Sequence, residues 1–280
     1  MTATVQLSHQ KKSAAPTDMY EKLRPKSKRL RNRSLILGVT GIVLGLLIWQ
    51  ILASSGVVSS TFSSSPIGTA GALWTMLTNG TLWAPVAATL ASFGIGMAIS
   101  IVFAIPIGLI LGRAPVLREL VDPWINILNS VPYVVFLPLI IFWFGIDETS
   151  RIVLVVWSAA VPLLMSTIGA ARNLDRNYMN VATVFSASRG YTLRTVAFPA
   201  ILPYILSGIR LAVGRGLVGA IVAELFLGAV GLGSLVQVQT SNFEMDEAMA
   251  TVTVIAIIAI LINQLVGLVE RRFAYWADSS

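Results

Sequence analysis

The 280-residue chain has no cysteine and a single histidine, His9. The first absence excludes disulfides and thiolate chemistry; the second leaves no histidine outside the polar N-terminal tail for catalysis or metal ligation. A Ser/His/Asp set is impossible for the same reason. Lysine ends at Lys28, so no G-x-x-x-x-G-K-[ST] phosphate loop can occur beyond the tail. Charge is scarce at 12% of residues, against 55% hydrophobic, and the mean hydropathy is +0.78. A soluble domain rarely combines these values, and membrane residence follows. Paired carboxylates occur only as Asp147–Glu148 and Asp246–Glu247, in polar connections, where a solvated cap is expected rather than catalysis.

What the chain does have is long apolar runs. Six spans of roughly bilayer length are bounded by charges, Pro and Gly, at 34–54, 85–112, 123–145, 151–170, 203–228 and 248–268. The run Leu35 to Ala53 is longer than a cleavable signal core and reads as an uncleaved signal anchor. Charge divides the connections. Segments 1–33, 113–122, 171–202 and 269–280 hold 17 of the 20 Lys and Arg, whereas 55–84, 146–150 and 229–247 hold none. This bias puts the basic side, with both termini, in the cytoplasm. The nine basic residues in 11–33 are expected to meet anionic lipid rather than nucleic acid.

Segment 65–83, "SPIGTAGALWTMLTNGTLW", places Ile67, Ala70, Leu73, Trp74 and Leu77 on one helical face, as an interfacial helix or an external docking surface would. The third run, "PWINILNSVPYVVFLPLIIFWFG", contains Pro132 and Pro138 after Asn126, Asn129 and Ser130. Interior prolines free backbone carbonyls that protein or cavity water must satisfy, either in a broken helix along a path or in a packing kink. The fifth run holds Arg210, Arg215 and Glu224. Arg210 is near enough to the span edge to snorkel. Arg215 and Glu224 lie deeper, on opposite helical faces, and must each face water or a protein partner. Two readings stand for them, a polar path and a structural ion pair, with Glu224 leaning to the second. "GAVGLG" at 228–233 follows no strand and reads as a turn leaving the membrane.

Between the fourth and fifth runs lies "NYMNVATVFSASRGYTLRTVAFPAILP" (177–203). Tyr178, Val181, Val184 and Phe185 share one helical face, Gly190 is placed to end the helix, and Pro199 and Pro203 disfavour a continuous helix into the fifth span. A short amphipathic helix on the basic side results, needing lipid or a protein groove for its apolar face.

The segment resembles the EAA loop, E-A-A-x3-G-x9-I-x-L-P, of permease subunits of bacterial ATP-binding-cassette (ABC) importers. Asn180, Val181 and Ala182 stand at Glu-Ala-Ala, Ser186 at Gly, Val196 and Phe198 at Ile and Leu, and Pro199 at the final Pro. Asn180 and Ser186 depart from the pattern. "PLIIFWFGIDETSRI" (138–152), "AFPAILPYILSGIRLAVGRGLVGAIVAELFLGAVGLGSLV" (197–236) and, in part, "TLASF" (89–93) resemble the nitrate, sulfonate and taurine branch of that family.

The resemblance implies an all-α polytopic inner-membrane protein with six transmembrane helices and the type I importer permease fold. It implies a second permease copy or paralogue, two cytoplasmic ABC ATPases that bind the ATP, an external solute-binding protein, and no cofactor in this chain. Tyr178, Asn180, Val181, Ala182, Phe185, Ser186, Arg189, Gly190 and Pro199 would form the ATPase-coupling element. Asn129, Pro132, Tyr133, Arg215 and Glu224 would lie along the translocation path. The solute expected is a small anion or organic acid such as nitrate, sulfonate, taurine or bicarbonate, with a vitamin or thiamine precursor as the alternative. A self-sufficient secondary carrier is the remaining class; it would predict midplane coupling acids and an internal repeat, of which the sequence offers Glu224 alone.

Overall fold

The computed structural model describes residues 27–56, 59, 63–172, 188, 191, 195, 198–228 and 230–274, with side chains from Ile36 to Arg272. Of the coupling residues, Tyr178, Asn180, Val181, Ala182, Phe185, Ser186, Arg189 and Gly190 lie outside the described residues. Every regular element among the described residues is a helix, as a lipid solvent demands of a chain that cannot close a barrel.

The elements are α1 (Ser27–Ser54), α2 (Pro66–Thr78), α3 (Trp83–Arg113), α4 (Pro115–Ser130), a 3-10 turn (Tyr133–Phe136), α5 (Leu137–Phe144), α6 (Glu148–Arg172), α7 (Phe198–Leu227), α8 (Leu232–Ser241) and α9 (Met245–Ala274). α1, α3, α6, α7 and α9 are long and apolar enough to cross a membrane. Among the described residues a sixth crossing exists only if α4 and the 133–144 segment count as one span bent by 92°. The 123–145 run is therefore not one straight helix. Val131 is extended (φ −79°, ψ 127°) because the following Pro132 disfavours the helical region for it, and the chain turns there. Pro106, Pro162 and Pro203 instead sit inside helices that continue through them. The expected interruption at Pro203 is thus absent. α7 already begins at Phe198, and Pro203 removes one hydrogen bond in its second turn.

α6 is the centre of the bundle; α3 and α7 both pack along it and meet each other where Phe93 and Met97 of α3 approach Gly216 of α7. The contact with α3 runs along small residues four apart, Gly96, Ser100, Ala104, Gly108 and Gly112, facing Val155, Thr167 and Ala171 of α6. A Cβ on Gly108 would lie 2.7 Å from Thr167 Cβ. The contact with α7 repeats the device through Gly208 against Ser166, Gly216 against Ala159, and Gly219 against Ser158. Lipid offers apolar helices no hydrophobic reward for associating, so close backbone approach and dispersion hold these three together. Leu154, Val155, Ala159 and Leu163 of α6 have no exposed surface.

Polar contacts fix the ends. Asp147 caps α6, accepting from the N–H groups of Thr149 (2.9 Å) and Ser150 (3.4 Å). Asp246, at the start of α9, is no free solvated cap: it accepts from Ser64 Oγ (2.7 Å) and Ser65 N–H (3.2 Å). Trp49 Nε1 donates to the Ser64 carbonyl at 2.8 Å, tying α1 to this joint. α2 buries Thr69 and Met76 and leaves Ile67, Ala70, Trp74 and Leu77 outside.

Gly108→Leu is expected to lower the thermal midpoint of the detergent-purified protein, overpacking of a tight contact costing about 1–3 kcal/mol. Gly94→Leu is the control, since a Cβ there meets nothing within 4 Å; equal midpoints for the two variants would refute the small-residue contact.

Candidate functional site

The break at Val131–Pro132 opens a cavity of about 310 Å³ between the end of α4, α6 and α7. Its walls include Asn129, Ser130, Pro132, Tyr133, Trp157, Ser158, Pro162 and Arg215. The 3-10 turn is held against α6 by Phe136 stacked on Trp157, with ring centroids 4.7 Å apart. The Trp157 indole N–H is buried without an acceptor among the described residues. A second cavity, of about 670 Å³, shares Tyr133 and Arg215 with the first and continues past Ser207, Arg210 and Asn263. A third, of about 820 Å³, shares Arg210 and Asn263 with the second and reaches Glu270 and Arg271 near the end of α9.

Successive hollows thus share lining residues, from Tyr133 and Arg215 at the broken helix to Arg210 and Asn263 nearer the basic end. Neither of the first two is lined by a carboxylate among the described residues. Among the described residues Arg215 has no ion-pair partner, whereas Arg210 pairs with Glu270 at 3.3 Å and Arg118 with Asp122 at 3.6 Å. A cation lined by hydroxyl and amide donors, with no acid among the described residues to neutralise it, favours an anion.

The structure brings Asn129, Pro132, Tyr133 and Arg215 to one place and puts Glu224 in another. Glu224 lines none of these cavities and is fully buried. One of its oxygens accepts from Thr89 Oγ1 and from Gly233 N–H, both at 2.9 Å, while Thr89 Oγ1 accepts from Leu232 N–H at 2.9 Å. The buried Arg151 attracts the carboxylate and donates through Nη1 to the Val230 carbonyl at 2.7 Å. Gly231 and Gly233 are required here because a Cβ on Gly231 would run into the Glu224 carboxylate and one on Gly233 into the Ile221 carbonyl and Glu224 Cβ. The "GLG" turn is therefore packed onto the carboxylate, and the hydrogen bonds seat the N-terminus of α8.

Glu224 and Gly231–Gly233 were visible in the sequence as an in-membrane acid and a glycine turn. Nothing local marks Thr89 as their partner, since it sits 135 positions from Glu224; its one sequence signal is its place in the "TLASF" block. Ser207 and Glu270 carry no sequence signal, being ordinary polar residues at the ends of apolar runs. Pro199, the described member of the coupling set, lies exposed in the first turn of α7.

Glu224→Ala is expected to expose the 228–245 segment to protease and lower the thermal midpoint, since leaving a buried donor without its acceptor costs about 1–3 kcal/mol. Glu224→Gln, which keeps an accepting oxygen, should retain most of the midpoint. Loss of equal size in both variants would mean that charge, and not the hydrogen bonds, holds the turn.

Comparison with known proteins places this geometry. Residues 104–275 match the family model described as binding-protein-dependent transport system inner membrane component. The chain is 31% identical over 260 residues to the taurine transport system permease protein TauC of Escherichia coli (strain K12), covering 89% of this chain and 94% of that one. It is 29% identical over 232 residues to the putative aliphatic sulfonates transport permease protein SsuC of Bacillus subtilis (strain 168), covering 83% and 84%. The fold matches a chain from inward-facing conformations of the MetNI methionine ABC transporter, with TM-score 0.60, 19% identity, and coverage of 68% of this chain and 94% of that one. This chain belongs to the binding-protein-dependent transport system inner membrane component family, and is a multi-pass solute permease subunit of a bacterial inner-membrane ABC importer.

Proposed function

We propose that this permease conducts a small oxyanion of the sulfonate or taurine kind through the linked cavities, entering from the acidic end of the bundle and leaving at the basic end in the cytoplasm. The observation that carries the reading is Arg215, a cation without an acidic partner among the described residues, in a lining of Asn129, Tyr133, Trp157 and Ser158. A sulfonate presents three acceptor oxygens and one negative charge to these donors. The relatives named for taurine and aliphatic sulfonates share that group, and the distribution of Lys and Arg supports the orientation.

This chain supplies the path and no chemistry. ATP is bound and hydrolysed by two separate ATPase subunits, and the solute is delivered by an external binding protein to a pair of permeases. The 177–199 segment, on its likeness to the EAA pattern, seats in a groove of the ATPase through Tyr178, Val181, Ala182 and Phe185. Asn180 in place of the usual acid makes that seat apolar rather than charged. Closure of the ATPases then moves the segment as a lever on the start of α7, where Pro199 stiffens the joint.

In proteoliposomes holding the complete importer, Arg215→Ala is expected to cut taurine or ethanesulfonate uptake at least about tenfold, the lower range of electrostatic focusing by a single-sign site. Arg215→Lys should keep part of the rate. Parent-level uptake by the Ala variant would place the path elsewhere. Ala182→Glu combined with Phe185→Asp is expected to abolish copurification of the coexpressed ATPase; an intact complex with normal ATP turnover would refute the docking role.

A further inference from the structure

Where the second and third cavities share Arg210 lies a feature that the anion path does not by itself require. Ser207 and Arg210, one turn apart on α7, both hold the Glu270 carboxylate of α9: Ser207 Oγ donates to one oxygen at 2.7 Å and Arg210 Nη1 lies 3.3 Å from the other. A hydroxyl and a guanidinium spaced i, i+3 on one helix form a two-donor seat. A sulfonate would use that seat through two of its oxygens just as the carboxylate does.

We infer that Glu270 is a resident competitor for the transported anion, an exit latch that occupies the Arg210 seat until the solute displaces it. The inference rests on the anion-path reading above. Arg215 and Arg210 line the same 670 Å³ cavity, so Arg210 is the next cation met by an anion moving towards the basic end. Glu270 already sits on it. Arg271, beside Glu270 in the lining of the 820 Å³ cavity, offers the released carboxylate a neighbouring positive charge.

Two observations make the contact a latch rather than a brace. The pair is partly open to solvent, with the Arg210 side chain 54% exposed and that of Glu270 22%. An ion pair so placed resists displacement by no more than about fivefold, which a solute can overcome. The packing of α7 on α9 is also supplied elsewhere, by Ala259, Ile262 and Val266 against the cluster that contains Ala212 and Val213. The helices do not need the ion pair to stay together. A carboxylate held at the exit lowers the affinity of the inner end for the anion, so solute released to the cytoplasm does not rebind.

The test is equilibrium binding of radiolabelled ethanesulfonate to the intact permease–ATPase complex in nanodiscs. Glu270→Gln is expected to bind about fivefold more tightly than the parent, with an unchanged thermal midpoint, and Arg210→Ala added to it should remove the gain. Glu270→Asp, which keeps the charge but shortens the reach, should give a smaller gain and serves if Glu270→Gln fails to assemble. Parent-level or weaker binding by an assembled Glu270→Gln or Glu270→Asp complex overturns the latch. Arg215→Ala separates the two ideas. If it loses binding while the Glu270 variants gain nothing, the path stands and the latch falls; if it binds like the parent and they gain nothing, both fall.

Discussion

Close approach of α3 and α7 to α6 is the constraint on which the rest of the molecule depends. In a bilayer, burying leucine against leucine removes no water, so helices hold together only where their surfaces fit at short range. Gly96, Gly108 and Gly112 on α3, with Gly208, Gly216 and Gly219 on α7, let both helices reach the α6 surface so nearly that side chains there would collide. The same approach brings Ser158 and Trp157 of α6 within reach of Arg215 on α7, and so builds the wall of the first cavity. Site and scaffold share a cause.

Against that rigid trio the 115–144 segment is the irregular part. Its break at Val131–Pro132 exposes backbone that lipid cannot satisfy, which is acceptable only where it lines a polar space. Asn129, Ser130 and Tyr133 cluster at this break and not along a helix face. Pro106, Pro162 and Pro203, in unbroken helices, show that proline alone does not open a span. At Pro132 the preceding Val131 leaves the helical region and a short 3-10 turn takes over, pinned by the Phe136–Trp157 stack.

The charged residues of α7 then divide by environment. Arg215 opens on the cavities with no counter-charge among the described residues, Arg210 is held by Glu270, and Glu224 is enclosed with Thr89 and the glycine turn. Three ionisable groups within one apolar run thus have three fates, decided by what the neighbouring helices present. A buried carboxylate that accepts from Thr89 and Gly233 acts as an anchor for α8, because its acceptor is what those donors have in place of water.

Composition and pattern alone settled the helical class, the likeness to importer permeases and the exclusion of thiol, histidine and nucleotide-loop chemistry. These follow from properties of the chain taken locally: run length, residue absence and spacing within a motif. They also reached Asn129, Pro132, Tyr133 and Arg215, since polar groups and prolines stand out in apolar sequence. Only the tertiary structure decided that 123–145 is bent, that α7 passes through Pro203, and that the partners of Glu224 are Thr89 and Gly233. The same holds for Ser207 and Glu270, 63 positions apart. In each case the deciding contact joins residues far apart in the chain, and no local period or motif encodes which helix will present its polar group to which.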